Sequence, residues 1–342
     1  MTRRRIAVAV LALALIAGCG GNQRNTAWVD EEVTFSADGL TLHGTYRHRG
    51  DQSGPAALLI SESGRTDRNG DNNVAGPIGN MRQIAEYLSE HGVASLRYDK
   101  VGTGRTGLGP YAGRASEVGS AIYTDGAKAA VRYLADRPGT DSGRISVYAL
   151  GEGTVHAMSV AGDTTAGAPR IHSLALFQPL AARYLDLISA RVAADVAAAV
   201  RSGAKTPQQG DQVIAAWRAA VGQARTTGTA PASLPDGLTA ILGPGNVKAV
   251  VESDAIDPLQ LAARIPDGTP VLLTCSDSDG QARCEEMKPL AAALGHTALQ
   301  FVALKGVSHV LRDDPSDSVA NYAKPAPLSP QLTAALDQFV TK

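Results

Sequence analysis

The chain has 342 residues, room for one large α/β domain with an insertion or for two small domains. Apolar residues make up 44% and charged residues 19%, which suits a packed body, and aromatics are scarce at 4%, so helices should pack closely on Ala and Gly. The net charge of -1 leaves no basic footprint for nucleic acid. The seven histidines are scattered and the three cysteines form no C-x-x-C pair, so neither a metal nor a cofactor is expected.

Residues 1–18 carry the features of an export signal. Arg3, Arg4 and Arg5 form a positive start, and residues 6–17 form an apolar run. That run falls short of the ~20 residues of a membrane-spanning helix. It ends in Ile16-Ala17-Gly18-Cys19, which resembles the lipobox of bacterial lipoproteins. The resemblance implies lipidation (palmitate and related chains) at Cys19, with residues 19–27 as a polar tether. The protein would then sit outside the cytoplasm, anchored in the cell membrane with the bilayer as its partner. The alternative is an ordinary cleaved signal in which Cys19 is lost. Export would also place Cys275 and Cys284, with eight residues between them, in an oxidising compartment. A disulfide is the expectation there, against two unrelated thiols.

Beyond the tether, "EEVTFSADG" and "LTLHGTYRH" alternate as an antiparallel hairpin turning at Asp-Gly. "PAALLIS" is a continuous apolar run, the mark of a strand buried on both faces. "MRQIAEYLSEHG" has helical spacing and a Gly stop, and "VASLRYD" is another buried strand. Ala127, Ala130, Val131 and Leu134 recur at helical spacing before Pro138-Gly139. "RISVYAL", "TVHAMSVAG" and "SLALFQ" then give strand, helix and strand. From about residue 180 to 262 the pattern is helical only, with "ARVAADVAAAVRSG" and "DQVIAAWRAAVGQAR" as amphipathic helices. "PVLLTC", "EEMKPLAAALG", "ALQFVAL" and "SPQLTAALDQFV" resume the alternation. Alternating strands and helices mean parallel strands with right-handed crossovers, so residues 28–342 are expected to form one α/β domain. Its helical block, about 180–262, would cap the C-terminal edge of the sheet, where such sheets bind ligands.

Four segments carry a resemblance to a family. "ESGRTDRNG" (residues 62–70), "LRYDKVGTGRT" (96–106), "DPLQLAARIPDGTPVLL" (257–273) and "GVSHVLRDD" (306–314) are similar to segments of a bacterial serine-esterase group in the α/β-hydrolase superfamily. The resemblance implies a mostly parallel α/β-hydrolase sheet flanked by helices, with a helical cap insertion. It also implies a G-x-S-x-G elbow carrying a nucleophile, then an acid, then a His, and two backbone N–H groups for the oxyanion. The acid falls on Asp279, with Asp277 as neighbouring competitor, and the base on His309. The oxyanion N–H groups fall on Ser63 and Glu152.

The nucleophile is absent, because the serine position of "ALGEGT" is Gly151. Its neighbours Leu150 and Glu152 offer no hydroxyl, and Thr154 and Ser159 lie further on, in the expected helix. Gly tolerates the strained elbow conformation, so the turn can persist without its hydroxyl. Glu62 stands where the group has Gly beside the oxyanion hole. Its carboxylate would oppose a developing negative charge unless neutralised or turned to solvent. Val101 replaces the group's usual Arg, and His156 is expected to be a packing residue. A non-hydrolysing protein that binds a small acyl or lipid-like ligand, or a partner, is the leading expectation. The alternative is a hydrolase of acyl esters, working through His309-activated water or another nucleophile.

Overall fold

The computed structural model describes residues 27–50 and 53–340. The expected export signal, Cys19 and all of the expected tether but Ala27 lie outside the described residues. Strands β1 (Val29–Ala37) and β2 (Leu40–His48) form the expected antiparallel hairpin, pairing Ala37 with Leu40 across Asp38-Gly39. Then come β3 (Gly54–Ile60), α1 (Asn80–Glu90), β4 (Ala94–Tyr98), α2 (Ser120–Ala135), β5 (Thr140–Leu150), α3 (Gly153–Ala161) and β6 (Ile171–Phe177). Helices α4 (Tyr184–Arg201), α5 (Pro207–Thr227), α6 (Val247–Ala255) and α7 (Pro258–Ala262) follow with no strand among them. The chain closes with β7 (Pro270–Ser276), α8 (Lys288–Ala293), β8 (Ala298–Leu304), α9 (Val319–Tyr322) and α10 (Pro330–Phe339).

The sheet has eight strands in the order β1-β2-β4-β3-β5-β6-β7-β8. β2 pairs antiparallel with both β1 and β4, and every pair from β4 to β8 is parallel. The apolar runs are continuous because the parallel strands have helices on both faces. Successive residues of β5 show it: Val147 and Ala149 pack with Val131, Leu134 and Met158 on one side. Tyr148 and Leu150 face Ile84, Leu88, Leu336 and Phe339 on the other. Every residue of β5 from Val147 to Leu150 is buried.

The helical block between β6 and β7 holds a core of its own. Leu185, Ile188 and Val192 of α4 meet Val213, Trp217 and Ala220 of α5 and Val250 of α6. Trp217 is 1% exposed and donates its indole N–H to Ser189 Oγ at 2.9 Å, so the ring is both buried and satisfied. α5 starts on a reciprocal capping box between Thr206 and Gln209 with Pro207 in its first turn. Asp254 ties the block together, accepting from Leu185 N (2.9 Å), Arg225 Nε (2.8 Å) and Arg183 Nη2 (3.3 Å).

One expected helix is shorter in the structure. α8 begins only at Lys288, because Cys284 is tied to Cys275 and Pro289 fits a first turn rather than a helix interior. Among the described residues no helix is long and apolar enough to cross a membrane.

Candidate functional site

The site forms along the C-terminal edge of the sheet, where β3, β5, β7 and β8 each release a loop. β3 leads to Glu62 and Ser63, β5 to Gly151 and Glu152, β7 to Asp279 and β8 to His309. Loops from one shared edge of the sheet therefore gather residues up to 247 positions apart in the chain.

The elbow after β5 is present and tight. Gly151 has φ +54°, donates its N–H to Phe177 O at 3.0 Å, and α3 begins two residues later. A Cβ on Gly153 would lie 2.8 Å from the carbonyl oxygens of Ile60 and Ser61, so only glycine lets α3 approach β3 this closely. Thr154 Oγ1 bonds the Gly151 carbonyl at 2.5 Å and is wholly buried, so its hydroxyl is committed to the helix start. Ser159 lies further along α3, beside α7.

Glu62 settles which way its carboxylate faces: it points into the site. Oε1 accepts from the backbone N–H of Ser63 (2.5 Å) and of Glu152 (3.2 Å), and Oε2 accepts from His309 Nε2 (2.7 Å). A Cβ on Gly151 would fall 1.6 Å from Oε2, so the carboxylate fills the space a serine side chain would need. One side chain thus fills the space that a side chain at 151 would occupy and holds the two N–H groups that the resemblance assigns to an oxyanion. Sequence reasoning flagged Glu62 but left its direction open. The missing constraint was Gly151, whose absent side chain makes the room.

His309 is held from both ends. Its Nδ1 donates to Asp279 Oδ2 at 2.8 Å and its Nε2 to Glu62. Ionised carboxylates only accept, so both ring nitrogens carry protons and the ring is an imidazolium. Burial works against that charge, but Asp279 and Glu62 outweigh it and hold the pKa well above 6.5. Burial likewise opposes charge on Glu62, yet His309 and the two backbone N–H groups pull its pKa down to about 2. Asp279 is oriented by Gln281 N (2.7 Å) and Ala282 N (3.2 Å), inside the loop closed by the Cys275–Cys284 disulfide. Asp277 instead accepts from Gly306 N (2.8 Å) and Ser278 Oγ (3.1 Å), away from the imidazole.

The loop bearing Glu62 is braced by the segments that carry the family resemblance. Asp99 accepts from Arg68 N (2.9 Å), Arg68 Nη2 (2.9 Å) and Arg105 N (2.8 Å), which locks "TDRNG" to "LRYDK". Buried Lys100 donates to the carbonyls of Ser61 and Glu62. Burial lowers its pKa, while Glu152 and Glu62 nearby favour its charge. Val101, in place of the group's Arg, is buried in the main core. His156 is also buried, accepts or donates a bond with Thr124 Oγ1 at 2.9 Å, and burial pushes its pKa down to about 3, as suits a packing residue.

A cavity of about 530 Å³ opens onto Glu62 and His309. Its walls are mostly apolar, with Ala75, Ile78, Leu150, Val310 and Val319 among them, and the size suits a small organic molecule. Among the described residues no group of His, Cys, Asp and Glu is arranged to hold a metal.

No protein-family model matches the chain, and no curated protein matches it in sequence. Solved structures do match in three dimensions. The chain is similar to an esterase of Pyrococcus furiosus (Pf2001), at 17% identity and a TM-score of 0.54 over 92% of each chain. It is similar to DcsB, solved with a substrate analogue, at 16% identity and a TM-score of 0.57 over 92% of this chain and 99% of that one. Est1E of Butyrivibrio proteoclasticus, solved with ferulic acid, matches at 17% identity and a TM-score of 0.54, over 91% of this chain and all of that one. The likeness is one of fold: this chain has the α/β-hydrolase fold, an eight-stranded mostly parallel sheet flanked by helices.

Proposed function

We propose that this protein is a membrane-anchored, non-hydrolysing member of the α/β-hydrolase fold, which binds a small ligand or partner at the former catalytic edge. The supporting observation is the Glu62 carboxylate lodged against Gly151, bonded to both backbone N–H groups and to His309. An ester cannot be attacked at that point, since there is no hydroxyl, and its carbonyl oxygen would have to displace a carboxylate from the N–H pair. Removal of a serine nucleophile alone costs up to about a million-fold in turnover. Hydrolysis through His309-activated water finds little support, because an imidazolium clamped between two carboxylates has no lone pair to accept a proton.

Purified protein incubated with p-nitrophenyl acetate, butyrate and decanoate tests this. The expected outcome is release no faster than buffer containing the His309→Ala variant, and no mass increase with a fluorophosphonate. Family-like turnover would overturn the reading. The anchor rests on the lipobox resemblance at Cys19. Its test is incorporation of labelled palmitate in cells, expected for the native chain and lost in Cys19→Ala.

A further inference from the structure

The contacts made by Glu62 describe the chemistry its surroundings recognise. A carboxylate there receives two converging backbone N–H groups on one oxygen and an imidazolium N–H on the other. Nothing in that arrangement requires the carboxylate to belong to residue 62. The His309 side chain is 6% exposed and that of Glu62 is 21% exposed, so the receptor is fixed and its occupant lies at the edge of open space. That space is the 530 Å³ cavity, whose exposed wall is mainly apolar, with Ala75, Ile78, Val310 and Val319 beside the polar Arg65 and Asn72.

We infer that the site is a carboxylate receptor occupied by its own Glu62, and that the ligand class competing for it is a single-carboxylate amphiphile such as a medium-chain alkanoate. The inference deepens the non-hydrolysing reading and rests on it. The head group takes the place of the Glu62 carboxylate, the tail follows the apolar wall, and Glu62 turns outward into solvent. Two negative carboxylates cannot share the N–H pair, so ligand and Glu62 exclude each other. Neutral amphiphiles lack the charge that makes bonds to these donors strong, and cationic ones meet an imidazolium.

The test compares decanoate, decanol and decyltrimethylammonium binding to the native protein and to Glu62→Gly by isothermal titration. Glu62→Gly is expected to bind decanoate about tenfold or more tighter than the native protein, with no comparable gain for the other two. Equal decanoate affinities, or an equal gain for decanol, would overturn the inference. Should Glu62→Gly fail to fold, the native protein suffices. Decanoate at millimolar concentration is expected to shift the His309 imidazole proton resonances while decanol does not, and unmoved resonances would be a refutation. Ester turnover by the native protein would strike the non-hydrolysing reading instead, and is read in a separate assay.

Discussion

Gly151→Ser should be poorly tolerated while Glu62 is present and better tolerated once Glu62 is removed as well. The Cβ of Gly151→Ser would stand 1.6 Å from Glu62 Oε2, so the carboxylate must be expelled. Expulsion breaks three hydrogen bonds to a charged group, each worth roughly 1.5–3 kcal/mol net. Because the Glu62 side chain is 21% exposed and regains water outside, about half of that total is a fair cost, ~2–4 kcal/mol. A side chain at φ +54° adds ~1–3 kcal/mol. Glu62→Gly alone loses the same bonds, at ~2–4 kcal/mol. In the double variant nothing remains to be expelled, so the loss is counted once rather than twice. The two changes should therefore couple favourably by about 2–4 kcal/mol in a cycle measured by urea unfolding. The double variant should also label with a fluorophosphonate and give a p-nitrophenol burst, since His309 is then freed from one carboxylate. Additive stabilities within about 0.5 kcal/mol would refute the reasoning.

The pH profile of stability offers a second measurement. The raised pKa of His309 contributes stability that is full below about 6.5 and lost as pH rises through its folded value. The lowered pKa of Glu62 contributes stability that is full above about 4.5 and lost as pH falls toward about 2. Glu62→Gln should weaken both slopes in urea melts taken across pH, the acid one most, leaving the Asp279 share of the alkaline one. Arg68→Ala should destabilise by about 3–5 kcal/mol in the same melts, since it strands the buried Asp99 carboxylate. Reducing Cys275–Cys284 should cost roughly 2–3 kcal/mol from loop closure and lower the melting temperature, with Cys275→Ala/Cys284→Ala giving the same loss without reductant.

Much of the scaffold was legible because its rules are periodic. Unbroken apolar runs announced strands covered on both faces, and the change to helical spacing after β6 announced the block of helices. The elbow, Asp279 and His309 were placed by motif order, and the strand order explains why they meet. What stayed hidden was the direction of one side chain. Glu62 and Gly151 are 89 positions apart in the chain, and nothing local to either sets a rotamer. Only the pairing of β3 with β5 brings the larger residue to the smaller one. α8 starts later than the apolar spacing of "EEMKPLAAALG" suggests, because that spacing alone carries neither the tie at Cys284 nor the first-turn preference of Pro289.

The helices between β6 and β7 bury their own tryptophan and aliphatic residues in a nucleus separate from the two that flank the sheet. Two consequences follow from that partition. Substitutions within α4 and α5 can repack that nucleus without loosening the strands that fix His309 and Glu62. The same helices can also open as a cooperative unit while the sheet stays folded, which would give their amides a distinct, faster class of hydrogen exchange.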